Sequence, residues 1–177
     1  MTRNKQWILG AAWILGAVLW AGGCGSGNGS DGPCPENVLE GDYTVSGDSN
    51  AVADLEGYTR ITGNVNIGST TDTDLAPLGC LKQVDGSLSF GFMEHLTSVQ
   101  GLSNLESVGG NFGMYHCHVL TNLDGLEKLN SIGGYLDMSF NTVLPLCLVE
   151  QFVQRLRDNG FTGNAETSSN DETAICD

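Results

Sequence analysis

Two hydrophobic periods, one of two residues and one of three, follow each other repeatedly along this chain. In Val84-Asp85-Gly86-Ser87-Leu88-Ser89-Phe90 the apolar residues Val84, Leu88 and Phe90 are separated by polar or small ones. Val65 and Ile67, Phe112 and Met114, and Leu136 and Met138 repeat the two-residue spacing. That alternation predicts short strands with one buried face. The second period runs on threes: Leu96, Val99, Leu102, Leu105, Val108, and in the next unit Leu120, Leu123, Leu126, Leu129, Ile132. Leu75, Leu78 and Leu81 lead into Val84 in the same way, and Val52, Leu55 and Tyr58 into Ile61. An α-helix turns every 3.6 residues and drifts off a strict spacing of three. The run therefore predicts extended pieces joined by bends, or turns of 3₁₀ helix, which keep every third side chain inward.

The combined unit starts at Leu39, Ile61, Val84, Val108 and Ile132, at intervals of 22, 23, 24 and 24 residues. A fixed period of this size predicts a solenoid, with equivalent strands stacked in parallel about 4.8 Å apart. The expected ladders are Leu39, Ile61, Val84, Val108, Ile132 and Tyr43, Val65, Leu88, Phe112, Leu136. Gly41, Gly63, Gly86, Gly110 and Gly134 hold the third position of every copy. A corner needing positive φ or close backbone approach explains that register. Asn141 falls after the last strand at a place where leucine-rich units, which this pattern resembles, often carry Asn or Cys to satisfy backbone groups in the bend, and Cys117 holds the same place one coil earlier. Cys117 is accordingly expected to be a free, buried structural thiol. Leu148 to Asp158 predicts a short helix with Leu148, Phe152, Val153 and Leu156 on one face, stopped at Asn159-Gly160. It is expected to cap the open end of the stack. The architecture expected for residues 34–177 is mainly β: a parallel β-helix or leucine-rich solenoid of about five coils with a C-terminal capping helix.

The pattern I-x-G-x-L-x-I followed by L-x-x-L-x-x-L-x-x-L-x-x-I resembles the receptor L-domain, the leucine-rich right-handed β-helix of growth-factor and insulin receptor ectodomains. It is closer still to L-domain-like repeats in secreted and lipid-anchored proteins of bacteria such as myxobacteria. The resemblance covers about residues 38–176. It implies a right-handed coil and is nearly silent about ligand, because a fold does not fix a function.

Residues 1–23 read as a signal peptide. Arg3 and Lys5 precede an apolar run from Trp7 to Trp20, which is too short to span a bilayer. The run ends at Ala21-Gly22-Gly23-Cys24. Here the sequence resembles a bacterial lipoprotein signal, with Ala21 where such signals commonly carry Leu. The resemblance implies that Cys24 is lipidated and becomes the first mature residue. With Gly25 and Ser26 rather than Asp after the Cys, it points to an outer-membrane lipoprotein of the cell envelope, facing the exterior or the periplasm. Residues 24–33, rich in Gly and Ser, form a flexible tether.

Charge narrows the partners. From Cys24 onward 5 basic side chains face 21 acidic ones, a formal charge of −16. That excludes nucleic acid as a partner and disfavours anionic membrane surfaces. The only expected membrane contact is through the lipid anchor. Six Cys in an exported chain invite pairing. With Cys24 lipidated and Cys117 free, Cys147 and Cys176 bracket the predicted helix and are expected to bridge. Cys34 and Cys80 remain as the second pair. They lie about two coils apart, so their bridge requires the N-terminal segment to cross the intervening coil at Gly57.

Candidate chemistry is sparse. His116-Cys117-His118 with His95 one coil below offers imidazoles, but no fourth ligand has metal-site spacing. Asp48, Asp54, Asp72 and Asp74 lack the spacing of a Ca²⁺ loop. No nucleophile-elbow, phosphate-loop or zinc-protease motif occurs. The expectation is no catalytic, metal or cofactor residue, and a non-enzymatic surface module that binds a protein or glycan. The alternative is a small β-helix carbohydrate-active enzyme, which needs paired carboxylates or a basic residue in a cleft. Convergence of Asp137, Glu94 and His116 would favour it.

Overall fold

The two periods build two different sides of each coil. The computed structural model describes residues 34–47 and 51–176. The expected leader (1–23), Cys24, the expected tether (24–33) and Asp48 lie outside the described residues. At the start of each unit a two-residue strand forms: β1 (Val38–Leu39), β3 (Arg60–Ile61), β5 (Gln83–Val84), β7 (Ser107–Val108) and β9 (Ser131–Ile132). These pair in parallel in the order β1-β3-β5-β7-β9. The alternating stretch gives the second sheet: β2 (Tyr43–Ser46), β4 (Val65–Gly68), β6 (Leu88–Gly91), β8 (Phe112–Tyr115), β10 (Leu136–Asp137) and β11 (Ala165–Glu166). Its order is β2-β4-β6-β8-β10-β11, again parallel throughout. The result is a parallel β-solenoid of about four full turns.

Register follows the expected ladders. Leu39 pairs with Ile61, Ile61 with Val84, Val84 with Val108 and Val108 with Ile132. Val65, Leu88, Phe112 and Leu136 align on the other sheet and are all almost wholly buried.

The run on threes is a chain of tight turns. The amide of each third apolar residue donates to the carbonyl three residues back: Leu78 to Leu75 and Leu81 to Leu78 (2.9 and 2.8 Å), Leu102 to Val99 and Leu105 to Leu102 (both 2.9 Å), Leu126 to Leu123 and Leu129 to Leu126 (3.1 and 3.2 Å). Three-residue closure gives every turn the same inward side chain. Short 3₁₀ segments mark the run at Ala51–Leu55, Ala76–Leu78 and Gln100–Leu102.

The glycine column resolves one alternative. Gly41 has φ +93°, but Gly63, Gly86, Gly110 and Gly134 have no left-handed backbone. They are there for space: a Cβ on Gly86 would come within 2.6 Å of the Gly63 carbonyl oxygen, and one on Gly110 within 2.5 Å of Ser87 Oγ. Coils stacked this closely leave no room for a methyl group at that corner.

The C-terminal part departs from the expected plan in two ways. Helix α1 runs from Leu146 to Asp158, two residues earlier than predicted, with Pro145 at its N-cap. Its buried face is Val149, Phe152, Val153 and Leu156, while Leu148 is only half-buried. The spacing i, i+3, i+4, i+7 selects Val149. The helix covers the triplet side of the fourth coil. Arg155 fixes it by donating to the carbonyls of Leu126 (2.6 Å), Glu127 (2.8 Å) and Leu129 (3.1 Å), the otherwise open end of that run. Beyond the helix the chain lays down a further rung. Leu136 pairs with Ala165 and Asp137 with Glu166. The stretch Phe161-x-Gly163-x-Ala165-x-Thr167-x-Ser169-Asn170 repeats Ile132-x-Gly134-x-Leu136-x-Met138-x-Phe140-Asn141 at an offset of 29.

Two disulfides staple the ends. Cys34–Cys80 and Cys147–Cys176 have Cα separations of 5.6 and 6.0 Å and close 46 and 29 residues of sequence. The first requires the N-terminal segment to cross the intervening coil at Gly57. Asn37 makes that crossing: its amide donates to Thr59 Oγ1 (3.0 Å), its carbonyl accepts from the Thr59 amide (2.8 Å), and its side chain reaches the Gly57 carbonyl (3.4 Å). Each bridge stabilises the fold by about 3–4 kcal/mol on the loop-entropy estimate.

Candidate functional site

Every coil leaves the second sheet through one residue with left-handed backbone. These are Gly47 (φ 73°), Ser69 (54°), Phe92 (56°), His116 (56°), Phe140 (59°) and Ser169 (61°). Left-handed backbone costs a residue with a Cβ roughly 1–2 kcal/mol, and a bulky side chain there is a genuine outlier. Gly stands at the first of these six corners alone, and the other five carry a Cβ.

Neighbouring coils over-determine the conformation. The Ser69 amide donates to the Gly91 carbonyl, Phe92 to Tyr115, His116 to Ser139 and Phe140 to Ser168, at 3.0 to 3.3 Å. The left-handed residue turns the chain so that its successor points inward. Met93, Cys117 and Asn141 are wholly buried, and Thr70 and Asn170 nearly so. Asn141 Oδ1 accepts from the Cys117 amide (2.9 Å) and its Nδ2 donates to the Met114 carbonyl (2.9 Å). Asn170 repeats the arrangement by donating to Met138 O (2.7 Å) while its Oδ1 accepts from the Asn141 amide (3.2 Å). Cys117 is a free thiol within the core, and burial pushes its pKa up to about 12. It stays protonated and unreactive at physiological pH.

The left-handed corners turn their own side chains outward. The His116 ring lies flat between two phenylalanines: 4.5 Å from Phe92 at an interplanar angle of 8°, and 4.7 Å from Phe140 at 7°. These separations match the inter-strand spacing, so the rings stack because the coils do. Phe92 and Phe140 are 51% and 44% exposed, unusual for phenylalanine. Tyr115 meets Phe92 and His116 edge-on, at 5.8 and 6.2 Å. Its ring lies across Gly91, where a Cβ would overlap it. The outcome is an aromatic ridge along one edge of the solenoid.

Residues singled out in the sequence are dispersed by the fold. Within His116-Cys117-His118, Cys117 points into the core, while the His118 ring stands 5.6 Å from that of His116 and its Nδ1 is 3.4 Å from Thr142 Oγ1. His95 sits instead with Glu94 beside Phe92. Among the described residues no group of three or more His, Cys, Asp or Glu is placed to hold a metal ion. Asp137 accepts from Ser139 Oγ (2.5 Å) and from the Ser139 amide (3.2 Å), so it does not meet Glu94 or His116. Asp74 accepts from the Ala76 amide (2.9 Å) and starts a 3₁₀ turn. The ridge was not anticipated. Its signal was the column Ser69, Phe92, His116, Phe140, visible once the coils are aligned on their strands.

These features define a disulfide-stapled parallel β-solenoid with an aromatic edge. No protein-family model matches the chain, and no curated protein matches it either. Among the described residues no helix is long and apolar enough to cross a membrane.

Proposed function

We propose that the protein is a lipid-anchored module of the bacterial outer membrane, L-domain-like in kind, which binds a protein or glycan without chemical turnover through its aromatic ridge. One observation carries this reading: three successive corners hold rings in backbone that disfavours them, and hold them facing solvent. Strain that neighbouring structure sustains is a pointer to function, and exposed aromatics are the residues that anchor binding surfaces. The acidic surface fits a neutral or cationic partner.

Affinity capture tests the ridge. The full chain, purified from bacterial membranes in detergent, is immobilised and presented with native envelope extract alongside the double variant Phe92→Gly/Phe140→Gly. The wild type is expected to retain a ligand that the variant binds at least tenfold more weakly; equal retention refutes the ridge as the binding surface. The anchor has its own test. Cys24→Ser should abolish labelling by palmitate and move the protein to the soluble fraction, and a labelled, membrane-bound Cys24→Ser protein contradicts the lipoprotein reading.

A further inference from the structure

The aromatic stack stops one rung short. Ser69 occupies the left-handed corner below Phe92, where the next ring of the column would stand. Its small side chain leaves the outer face of Phe92 uncovered above a hollow of about 310 Å³, lined by Ser69, Thr70, Thr71, Phe92, Glu94 and His95. That volume lies at the small end of ligand sites, which run from about 300 to 1,000 Å³, and suits a single ring. The spacing is set by the solenoid: His116 and Phe140 show that a ring one coil away stacks at 4.5 to 4.7 Å.

Resting on the ridge reading above, we propose that this hollow is a subsite for one pyranose ring of a glycan carrying neutral or amino sugars, which stacks on Phe92 and completes the column at Ser69. The lining fits a sugar on both sides. Phe92 offers an apolar face to ring C–H groups. The rim offers hydroxyls at Ser69 and Thr71, the Glu94 carboxylate as an acceptor for sugar hydroxyl or ammonium groups, and the His95 imidazole; Ser69, Thr71, Glu94 and His95 are all exposed. An aromatic side chain of a protein partner would leave that polar rim unused. A net formal charge of −14 disfavours uronic or sialic acids.

The test is NMR titration of the full chain in detergent micelles with methyl β-glucoside, methyl α-mannoside, methyl β-galactoside, N-acetylglucosamine and glucosamine. N-acetyltyrosinamide is titrated in parallel. At least one sugar at millimolar concentration is expected to shift the ring resonances of Phe92 and His95. Ser69→Phe fills the missing rung and should weaken that binding at least tenfold. Thr71→Trp, which covers the same hollow from a residue without left-handed backbone, should do the same if Ser69→Phe folds poorly. Glu94→Gln should weaken it severalfold. Three results overturn the proposal: no sugar shifts Phe92; N-acetyltyrosinamide binds there and the sugars do not; or the filled-slot variants bind sugar as the wild type does. The last leaves the ridge reading standing if Phe92→Gly/Phe140→Gly still loses envelope capture.

Discussion

Gly101→Ala is expected to destabilise the protein by about 3 kcal/mol or more, the upper end of the range for overpacked interiors. Gly101 lies within the 3₁₀ segment Gln100–Leu102, directly over the second coil. A methyl group there would overlap the carbonyl of Leu75, a backbone atom with no freedom to swing aside. The Leu75 carbonyl also accepts the Leu78 amide, so displacing it disturbs the turn below. Val99 and Leu102 flank Gly101 and are wholly buried, which ties the local shift to the core. Denaturant titration measures the effect. Substituting Gln100, exposed beside it, should change the midpoint little.

Asn141→Leu should cost about 2–5 kcal/mol although it keeps nearly the same volume. It removes the acceptor of the Cys117 amide and a donor to the Met114 carbonyl, both within the core. Each backbone group stranded without water or partner costs about 1–3 kcal/mol. The Asn141 backbone amide also donates to Asn170 Oδ1, so the loss should extend to the last rung. Hydrogen exchange would show it as early opening of β11 and the neighbouring end of β10. Asn170→Leu should loosen the same rung while leaving the Cys117 amide protected.

How much of this was readable before the structure depends on what each position does. The ladders through Ile61, Val84 and Val108 and through Val65, Leu88 and Phe112 were legible because burial demands the same kind of side chain in every coil. The run on threes was legible for the same reason, although its hydrogen bonds supply the cause. Both disulfide pairings were reachable by elimination, given the expected lipidation of Cys24, the burial of Cys117 and the place of the helix. The sixth rung was hidden because α1 stretches the period from 24 to 29 residues and Ala165 and Thr167 replace larger apolar residues. The ridge was hidden for a different reason. Left-handed corners usually advertise themselves through Gly or Asn, but here only the first corner carries Gly, at Gly47, while the regular Gly column answers a constraint of space. Phe92, His116 and Phe140 contradict the local preference of the backbone they occupy. Conflicts of that kind are where function is expected to override propensity.

The thermal stability of the Phe92→Gly/Phe140→Gly double variant tests most directly whether the rings serve recognition or merely hold the coils together. Glycine relieves about 1–2 kcal/mol of left-handed strain per site, which offsets about 0.5–1.5 kcal/mol of lost ring stacking and the entropic cost of a glycine. The melting temperature should therefore stay within about 5 °C of the wild type, at about 2–4 °C per kcal/mol for a chain of this size. A fall of more than about 10 °C would assign the rings to stability and contradict the account.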